Sequence, residues 1–293
     1  MHSRGRAELA GIPLGQGCPV AVMGVLNVSP ESFYLGSVRP DTGALLEAAR
    51  DMIEAGALLL DVGARSTAPY LDTAIDETEE TQRLGRAVSA LAGKFGVPVS
   101  ADTARAGPAR VALEAGAQVV NDVSGLADSE LARLVAEAGA GLIAMASPRP
   151  DDRLAAGPCA VVTASLSRAL SRARAARIPD ERIVLDPGIG FFREGPISWE
   201  EWDVAILGEL PRLLDLGRPL CVGVSRKSFI GAITGRPAAD DRLAGSLAAT
   251  ALAVVAGASL IRTHDVRETL DAVRVAMRIR AATGAATRGE KGP

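Results

Sequence analysis

The chain has 293 residues, and its 32 Lys and Arg residues nearly balance its 35 Asp and Glu residues, for a formal charge of −3. This balance excludes a general electrostatic attraction to nucleic acid or to an anionic membrane, so any phosphate site must be local. Three scattered cysteines and only two histidines argue against a disulfide framework and a zinc site, and they favour a reduced, cytoplasmic protein.

The two ends of the chain have different character from its centre. Residues 1–17 contain no continuous apolar run, so we expect an irregular extension rather than a signal peptide. The most apolar stretch, residues 247–261, is shorter than a bilayer span and is interrupted by Gly257. We interpret it as a buried helix followed by a buried strand, and we expect no membrane association. The polar tail, residues 286–293, is predicted to be disordered.

One pattern recurs between these ends: an amphipathic segment, then Ala-Gly-Ala, then a short apolar run that ends on a polar residue. The glycines are Gly56, Gly116, Gly139 and Gly257. A glycine after a helix is a common left-handed cap, and short apolar strands that follow helices are typical of parallel sheets covered on both faces. The predicted strands are 21–27, 58–62, 97–102, 118–123, 141–146, 182–187, 220–225 and 259–264.

Alternating strands and helices in this number predict a single (β/α)8 barrel, a TIM barrel, over residues 18–285. The alternative is an open doubly wound sheet, which would usually use fewer strands. In a barrel the active site lies at the C-terminal ends of the strands. Nearly every predicted strand here ends on a polar or charged residue, which is expensive to bury. This concentration favours an active site at that face.

Some of these strand-end residues suit a flat heterocycle. Asp102 and Asp186 offer carboxylates and Asn121 offers a carboxamide, which together match a ring with both donors and acceptors, such as an aminopyrimidinone. Met145 at the fifth strand offers an adaptable apolar wall. By contrast, we interpret Asp61 as structural, because a single buried aspartate commonly caps a helix or pairs with an arginine.

Other strand-end residues suit an anion. Lys227, Arg262 and His264 are cations or hydrogen-bond donors, and Asn27 is a neutral oxygen ligand that could hold Mg²⁺ together with phosphate oxygens. A heterocycle at one end and a diphosphate at the other is the ligand that these residue types predict. Arg226 has an ordinary interpretation as the partner of a structural ion pair.

Several segments, in chain order, resemble the dihydropteroate synthase family. The resemblance implies a transferase of folate biosynthesis that condenses 6-hydroxymethyl-7,8-dihydropterin diphosphate with p-aminobenzoate, giving 7,8-dihydropteroate and pyrophosphate. It also implies Mg²⁺ as cofactor and a homodimer formed through the terminal helices. The segments are 23–33 (MGVLNVSPESF), 61–69 (DVGARSTAP), 100–103 (SADT), 121–125 (NDVSG), 186–191 (DPGIGF), 225–231 (SRKSFIG), 242–249 (RLAGSLAA) and 262–266 (RTHDV).

The resemblance further implies residue roles. The p-aminobenzoate would contact Thr67, Pro69 and Ser228, the last at the start of a helix, where an anion is favoured. Asn27 would bind Mg²⁺. The diphosphate would contact Asn27, Thr67, Arg262 and His264. The pterin would contact Asp102, Asn121, Met145, Asp186, Phe191, Gly223 and Lys227. The residues that carry the chemistry would be Asp102, Asp186, Lys227, Arg262 and His264.

Departures from the family pattern lie mainly in the two loops predicted to close over the site. The usual Glu-Ser-Thr-Arg-Pro is here residues 65–69 (RSTAP), so the loop arginine is missing at Ala68, and we hypothesise that Arg65 replaces it. Residues 31–37 (ESFYLGS) lack the second acidic residue of the first loop, and residues 144–146 (AMA) stand where the family has Met-His-Met.

These departures leave three alternatives. The acceptor could be a substituted arylamine. The barrel could instead be of the corrinoid methyltransferase kind, although Lys227 and Ser228 argue against that. The chain could also be a pterin-binding paralogue with little synthase activity, which Ala68 favours and the retained Arg262 and His264 oppose.

Overall fold

The first elements that the structure describes form a β-hairpin. The structure, a computed structural model, describes residues 5–29, 41–66, 75–149 and 157–289. Strands β1 (Arg6–Leu9) and β2 (Ile12–Gly15) pair antiparallel. They are joined at Ala10 and Gly11, both with positive φ, as a tight hairpin turn requires. The expected irregular extension over residues 1–17 is therefore wrong for residues 6–15. The short alternating pattern places Leu9 and Leu14 on one buried face.

Eight parallel strands follow and form one closed barrel. Leu185 and Leu220 form a parallel bridge between the two end strands, with Leu185 N donating to Pro219 O at 3.0 Å. This closure confirms the predicted barrel and rules out the open sheet. The strands are β3 (Ala21–Asn27), β4 (Leu59–Gly63), β5 (Val99–Asp102), β6 (Val119–Asp122), β7 (Gly141–Met145), β8 (Ile183–Asp186), β9 (Cys221–Val222) and β10 (Leu260–Thr263).

Helices cover the outside of the barrel. The four glycines of the repeated pattern have φ values of +108°, +107°, +61° and +112° at Gly56, Gly116, Gly139 and Gly257, which confirms them as left-handed residues after helices. The helices are α1 (Thr42–Glu54), α2 (Glu77–Leu91), α3 (Ala106–Glu114), α4 (Ser129–Ala138), α5 (Gly157–Ala175), α6 (Trp199–Gly208), α7 (Leu210–Leu213), α8 (Ser228–Thr234), α9 (Leu243–Val255) and α10 (Val266–Gly289).

The lower half of the barrel interior is apolar and is closed by the hairpin. Leu9 and Leu14 pack against side chains that point inward from the strands, among them Met23, Leu59 and Ile143. The fit is tight, because a methyl group placed on Gly141 would lie 2.7 Å from Leu9 Cδ2. The hairpin thus plugs the N-terminal mouth of the barrel and leaves the C-terminal mouth as the open one.

The C-terminal helices differ from two expectations. Helix α9 was expected to be buried, yet Leu252 and Val255 are exposed at 69% and 43%. Helix α10 continues to Gly289, so residues 286–289 of the expected disordered tail are helical, and residues 290–293 lie outside the described residues. Within the described ranges, no helix has the length and apolar character needed to span a membrane.

Candidate active site

A network of hydrogen-bonded polar side chains crosses the C-terminal mouth of the barrel. Arg262 Nε donates to Asp61 Oδ2 at 2.6 Å, and Arg262 Nη2 donates to Asp102 Oδ2 at 2.7 Å. Asn121 Nδ2 donates to the same Asp61 oxygen at 3.0 Å. The structure thus brings three predicted site residues together. It also adds Asp61, whose carboxylate orients both Asn121 and Arg262 as a structural partner within the site.

This network offers hydrogen-bonding capacity to a ligand. Asp61 Oδ1 and Asp102 Oδ1 are buried and have no hydrogen-bond partner within the part of the chain that the structure describes. Burial raises the pKa of Asp102 to about 7, against the opposing effect of Arg262 and with a further increase from Asp61. Burial alone would lower the pKa of Arg262, but Asp61 and Asp102 raise it above its usual value. Because an unsatisfied buried acceptor is costly, the Asp102 carboxylate suits a ligand N–H group.

Asp186, at the end of β8, and Lys227, directly before α8, form the second part of the site. Asp186 Oδ1 accepts from Gly188 N at 2.7 Å, and Lys227 Nζ lies 4.7 Å from the centroid of the Phe191 ring. Burial raises the pKa of Asp186. Burial and the nearby Arg262 lower the pKa of Lys227 to about 8, whereas Asp186 opposes this decrease. The predicted residues Asp186, Phe191 and Lys227 therefore lie together.

A second buried carboxylate beside Lys227 was missed by the sequence analysis. Asp203, on α6, is 1% exposed and accepts from Gly190 N at 2.7 Å through Oδ1. Burial raises its pKa to about 6, and Lys227 and Arg193 oppose the increase. Asp203 does not lie at a strand end, but it follows Trp202 on the buried side of its helix. An acidic residue on the buried side of a helix is the sequence feature that could have identified Asp203.

His264 is held by a hydrogen-bonded cluster at the end of β10. Its Nδ1 lies 3.0 Å from Ser225 Oγ, and the same hydroxyl accepts from His264 N at 3.2 Å. Next to it, Arg226 and Asp265 form two hydrogen bonds of 2.9 and 2.6 Å. The structural ion pair expected for Arg226 is confirmed.

The predicted acceptor side is described only in part. Ser228 begins α8, and its hydroxyl accepts from Arg193 Nη2 at 2.5 Å. Thr67 and Pro69, like Ala68, lie outside the described residues. Arg65 Nε lies 3.4 Å from Oε2 of the buried Glu80, which also receives Arg105 Nη1 at 3.0 Å. The structure therefore pairs Arg65 with a carboxylate, and its replacement of the loop arginine stays a hypothesis.

Three further predicted residues, Asn27, Gly223 and Met145, lie at the C-terminal mouth of the barrel. Asn27 ends β3 beside Gly63, and a methyl group on Gly63 would lie 3.4 Å from Asn27 Oδ1 and 3.5 Å from Asp102 Oδ2. Gly223 lies against the Arg262 side chain, where an added methyl group would be 3.6 Å from Arg262 Cβ. Met145 ends β7 and is buried. Among the residues with described positions, no three His, Cys, Asp or Glu side chains cluster as a metal site.

Comparisons with known proteins agree with this geometry. A family model described as "Pterin binding enzyme" matches residues 23–264. A dihydropteroate synthase of Synechocystis sp. is 35% identical over 276 residues, which covers 90% of this chain and 93% of that protein. A probable bifunctional folylpolyglutamate synthase/dihydropteroate synthase of Haloferax volcanii is 38% identical over 262 residues, but this chain spans only 30% of its length. The solved Xanthomonas albilineans dihydropteroate synthase with 4-aminobenzoic acid superposes with a TM-score of 0.83 at 36% identity, over 95% of this chain and 99% of that chain.

Proposed function

Because the chain belongs to the family of pterin-binding enzymes, we propose that it acts as a dihydropteroate synthase. It condenses 6-hydroxymethyl-7,8-dihydropterin diphosphate with p-aminobenzoate and releases pyrophosphate. The observation that carries this function is the hydrogen-bonded network of Asp61, Asp102, Asn121 and Arg262 beside Asp186 and Lys227 at one barrel mouth. Carboxylates with unsatisfied acceptor capacity suit the N–H and NH2 edge of a pterin.

In this proposal the pterin lies between the two groups of carboxylates. Asp102 and Asn121 bind one edge of the ring, and Asp186 with Lys227 binds the other, while Phe191 and Met145 provide apolar contacts. Opposite charges on Asp186 and Lys227 allow them to bind both donors and acceptors of the ring. Gly223 leaves room beside Arg262.

The reaction that we propose is dissociative. The C–O bond to the diphosphate breaks, its electron pair goes to the diphosphate oxygen, and a pterin-stabilised methylene cation remains. The amine nitrogen attacks this carbon and then loses a proton. The negative charges of Asp102 and Asp186 favour the cation, and Arg262 and His264 stabilise the departing diphosphate. The loops after β3 and β4, which the sequence predicts to close and exclude water from the cation, lie mostly outside the described residues.

Mg²⁺ is the proposed cofactor, and Asn27 is its proposed protein ligand. Mg²⁺ in proteins commonly takes one or two protein oxygens together with phosphate oxygens and water. The position of Asn27 Oδ1 near Asp102 at the open mouth fits one such ligand. When bound, the ion neutralises charge on the leaving diphosphate. We expect EDTA to abolish turnover and added Mg²⁺ to restore it.

We also propose that the protein forms a homodimer through α9 and α10. These helices pack on each other, and Leu252, Val255, Val275 and Ile279 are exposed on them, at 69%, 43%, 61% and 53%. Large exposed apolar patches commonly mark interaction surfaces. The cytoplasmic location predicted from cysteine usage is part of the same proposal, and it is supported by three free cysteines, Cys18, Cys159 and Cys221.

The decisive experiment measures pyrophosphate release from the pterin diphosphate with Mg²⁺, in the presence and absence of p-aminobenzoate. We expect release that depends on the acceptor and a product with the mass of 7,8-dihydropteroate. Release that does not depend on any arylamine would contradict the synthase function. Competition between p-aminobenzoate and substituted arylamines then identifies the preferred acceptor.

Lys227→Ala provides the residue-level test of the site. Because Lys227 is the cation beside Asp186 and Phe191, we expect its removal to raise the KM for the pterin diphosphate and to lower kcat, each by about tenfold or more. Arg278→Ala, on α10, serves as a control and should leave both constants unchanged. Unaltered kinetics of Lys227→Ala would remove this residue from the site.

A further inference from the structure

Arg193 lies at the acceptor side of the mouth, in the segment between β8 and α6, and neither the strand pattern nor the family segments singled it out. We propose that Arg193 is a specificity-determining residue that makes the site select an arylamine carrying an anionic group. This inference deepens the proposed function and rests on it.

Three contacts fix the Arg193 guanidinium in one orientation. Its Nε donates to Gly190 O at 2.9 Å, and its Nη2 donates to Ser228 Oγ at 2.5 Å. Its Cζ lies 4.2 Å from the ring centroid of Trp199, as in a cation–π contact. The arginine thereby links the loop after β8 to the start of α8. Its planar group is pre-organised, so a ligand does not have to order it.

The hydrogen bond from Arg193 determines what the Ser228 hydroxyl can do. A hydroxyl has one donor hydrogen and two acceptor lone pairs, whereas a guanidinium only donates. Since Arg193 donates to Ser228 Oγ, the hydroxyl hydrogen points away from Arg193 and can be donated to another acceptor. A carboxylate on the incoming arylamine provides that acceptor, and a positive charge then stands directly behind the hydroxyl. A neutral amide group gains much less from that charge.

Three other cations among the described residues of the site lie beside carboxylates of the protein. Arg262 holds Asp61 and Asp102, and Arg65 faces the buried Glu80. Lys227 lies near Asp186 and Asp203, and its Nζ lies over the Phe191 ring.

The remaining charges near Arg193 do not replace it. Asp203 lies close enough to Arg193 to affect its electrostatics, and Glu200 adds a second negative charge near Asp203. The N-terminus of α8 adds a partial positive charge, but this charge comes from backbone N–H groups and is the same in the wild-type protein and in Arg193 variants. Within the described residues, the Arg193 guanidinium donates directly to Ser228 Oγ, which places its charge to compensate an acceptor anion there.

The test compares two acceptors of the same shape, p-aminobenzoate and the neutral p-aminobenzamide, in Arg193→Gln and Arg193→Lys. We expect Arg193→Gln to lower the ratio of kcat/KM for the acid to that for the amide by at least about tenfold, mainly through the KM for the acid. The KM for the pterin diphosphate should not change. Arg193→Lys should retain part of the preference, because it keeps the charge but loses the planar contacts.

Two controls separate selectivity from a structural effect. Arg133→Gln, at an exposed ion pair on α4, should leave the ratio unchanged. Ser228→Ala should reduce the ratio, and the double variant Arg193→Gln with Ser228→Ala should lose less than the sum of the single changes, because the two side chains act through one hydrogen bond.

The outcomes distinguish this inference from the proposed function. If Arg193→Gln lowers turnover of both acceptors equally, so that the ratio of kcat/KM for the acid to that for the amide stays at the wild-type value, Arg193 has only a structural role and the inference is overturned. If Arg193→Gln does not fold, the same result with Arg193→Lys overturns it. If the wild-type protein shows no acceptor-dependent pyrophosphate release with either arylamine, the proposed function itself fails.

Discussion

At the centre of the barrel mouth, one guanidinium holds two carboxylates that come from strands far apart in the sequence. Arg262 on β10 contacts Asp61 on β4 and Asp102 on β5, and Asp61 is completely buried. A buried charge is tolerated only when its partner is present, so removing one partner is far more costly than removing an exposed pair. The arrangement fixes Asp102, which is the proposed pterin ligand, and Asp61 acts through Arg262 and Asn121.

Asp61→Ala should therefore destabilise the fold as well as the site. We expect the free energy of unfolding to decrease by about 3 kcal/mol, because Arg262 Nε and Asn121 Nδ2 both lose their acceptor. Urea denaturation of the variant measures this change. Asp271→Ala, in an exposed pair with Arg274, is the matched control and should cost less than about 0.5 kcal/mol. Equal effects of the two substitutions would show that the buried pair has no special importance.

Lys227 should give the enzyme a descending limb in its pH profile. Burial lowers its pKa to about 8, so Lys227 loses its proton as the pH rises through 8, and kcat/KM for the pterin diphosphate should fall there. Asp203→Asn removes a negative charge that favours the protonated lysine but keeps an oxygen for Gly190 N. The limb should then move to lower pH.

The control for this pH measurement lies on the same helix. Glu201→Gln changes an exposed side chain of α6 by the same charge, and it should leave the limb where it is in the wild-type enzyme. A limb that stays in place in Asp203→Asn, or that moves to higher pH, would show that Asp203 does not act on Lys227.

The residue identities of the site were more predictable than their contacts. Asp102, Asn121, Asp186 and Lys227 were identified because polar residues at strand ends are unusual. The pairing of Arg262 with Asp61 could not be predicted, since the two residues are 201 positions apart and either could have had another partner. Asp203 and Arg193 were missed because neither lies at the end of a predicted strand, which is the position that the repeated pattern singles out.

At the scale of secondary-structure elements, the hairpin shows how a short segment completes the core. Leu9→Ala should lower the free energy of unfolding by about 2–4 kcal/mol, because it removes a side chain that is 0% exposed at the bottom of the barrel. The active site is at the opposite mouth, so kcat and KM of the folded variant should not change. Denaturation and kinetics together measure both properties.

Ile12→Ala provides the comparison within the same hairpin. Ile12 is only partly buried against the lower core, so its truncation should cost less than that of Leu9. If the two substitutions have the same effect, or if Leu9→Ala lowers kcat in the folded protein, the hairpin is not a simple plug of the barrel.

The element boundaries show what periodicity can and cannot predict. The strand at residues 21–27 was predicted with the bounds that β3 has, because its apolar run and its terminal Asn27 are both distinct. The strand predicted at 220–225 is reduced to Cys221–Val222, because the chain turns before α8 and Arg226 adopts φ +57°. The hairpin was missed because four-residue strands contain too few alternating positions to give a clear pattern.

At the scale of the whole molecule, the eight-fold repeat predicted the barrel, but a repeat describes one chain and carries no information on its partners. Leu252 belongs to a helix whose sequence is almost entirely apolar, so it was expected to be buried. It is 69% exposed, because α9 needs only one face to cover the sheet. In a helix that is apolar on all sides, the sequence alone cannot distinguish a side chain that faces solvent from one that packs in the core.

Leu252→Glu tests whether a second copy of the chain covers this surface. If α9 and α10 form the dimer interface, a carboxylate at the most exposed apolar position would be buried without a partner, and the dimer should dissociate. Sedimentation velocity at micromolar concentration should then show a monomer of about half the wild-type mass, with unchanged circular dichroism. Val204→Glu, on α6 and 46% exposed, adds the same charge outside the patch and should leave the dimer intact. A monomeric wild-type protein would contradict the proposed dimer. A Leu252→Glu variant that remains dimeric would exclude this surface as the interface, because burying a glutamate in an apolar contact costs free energy.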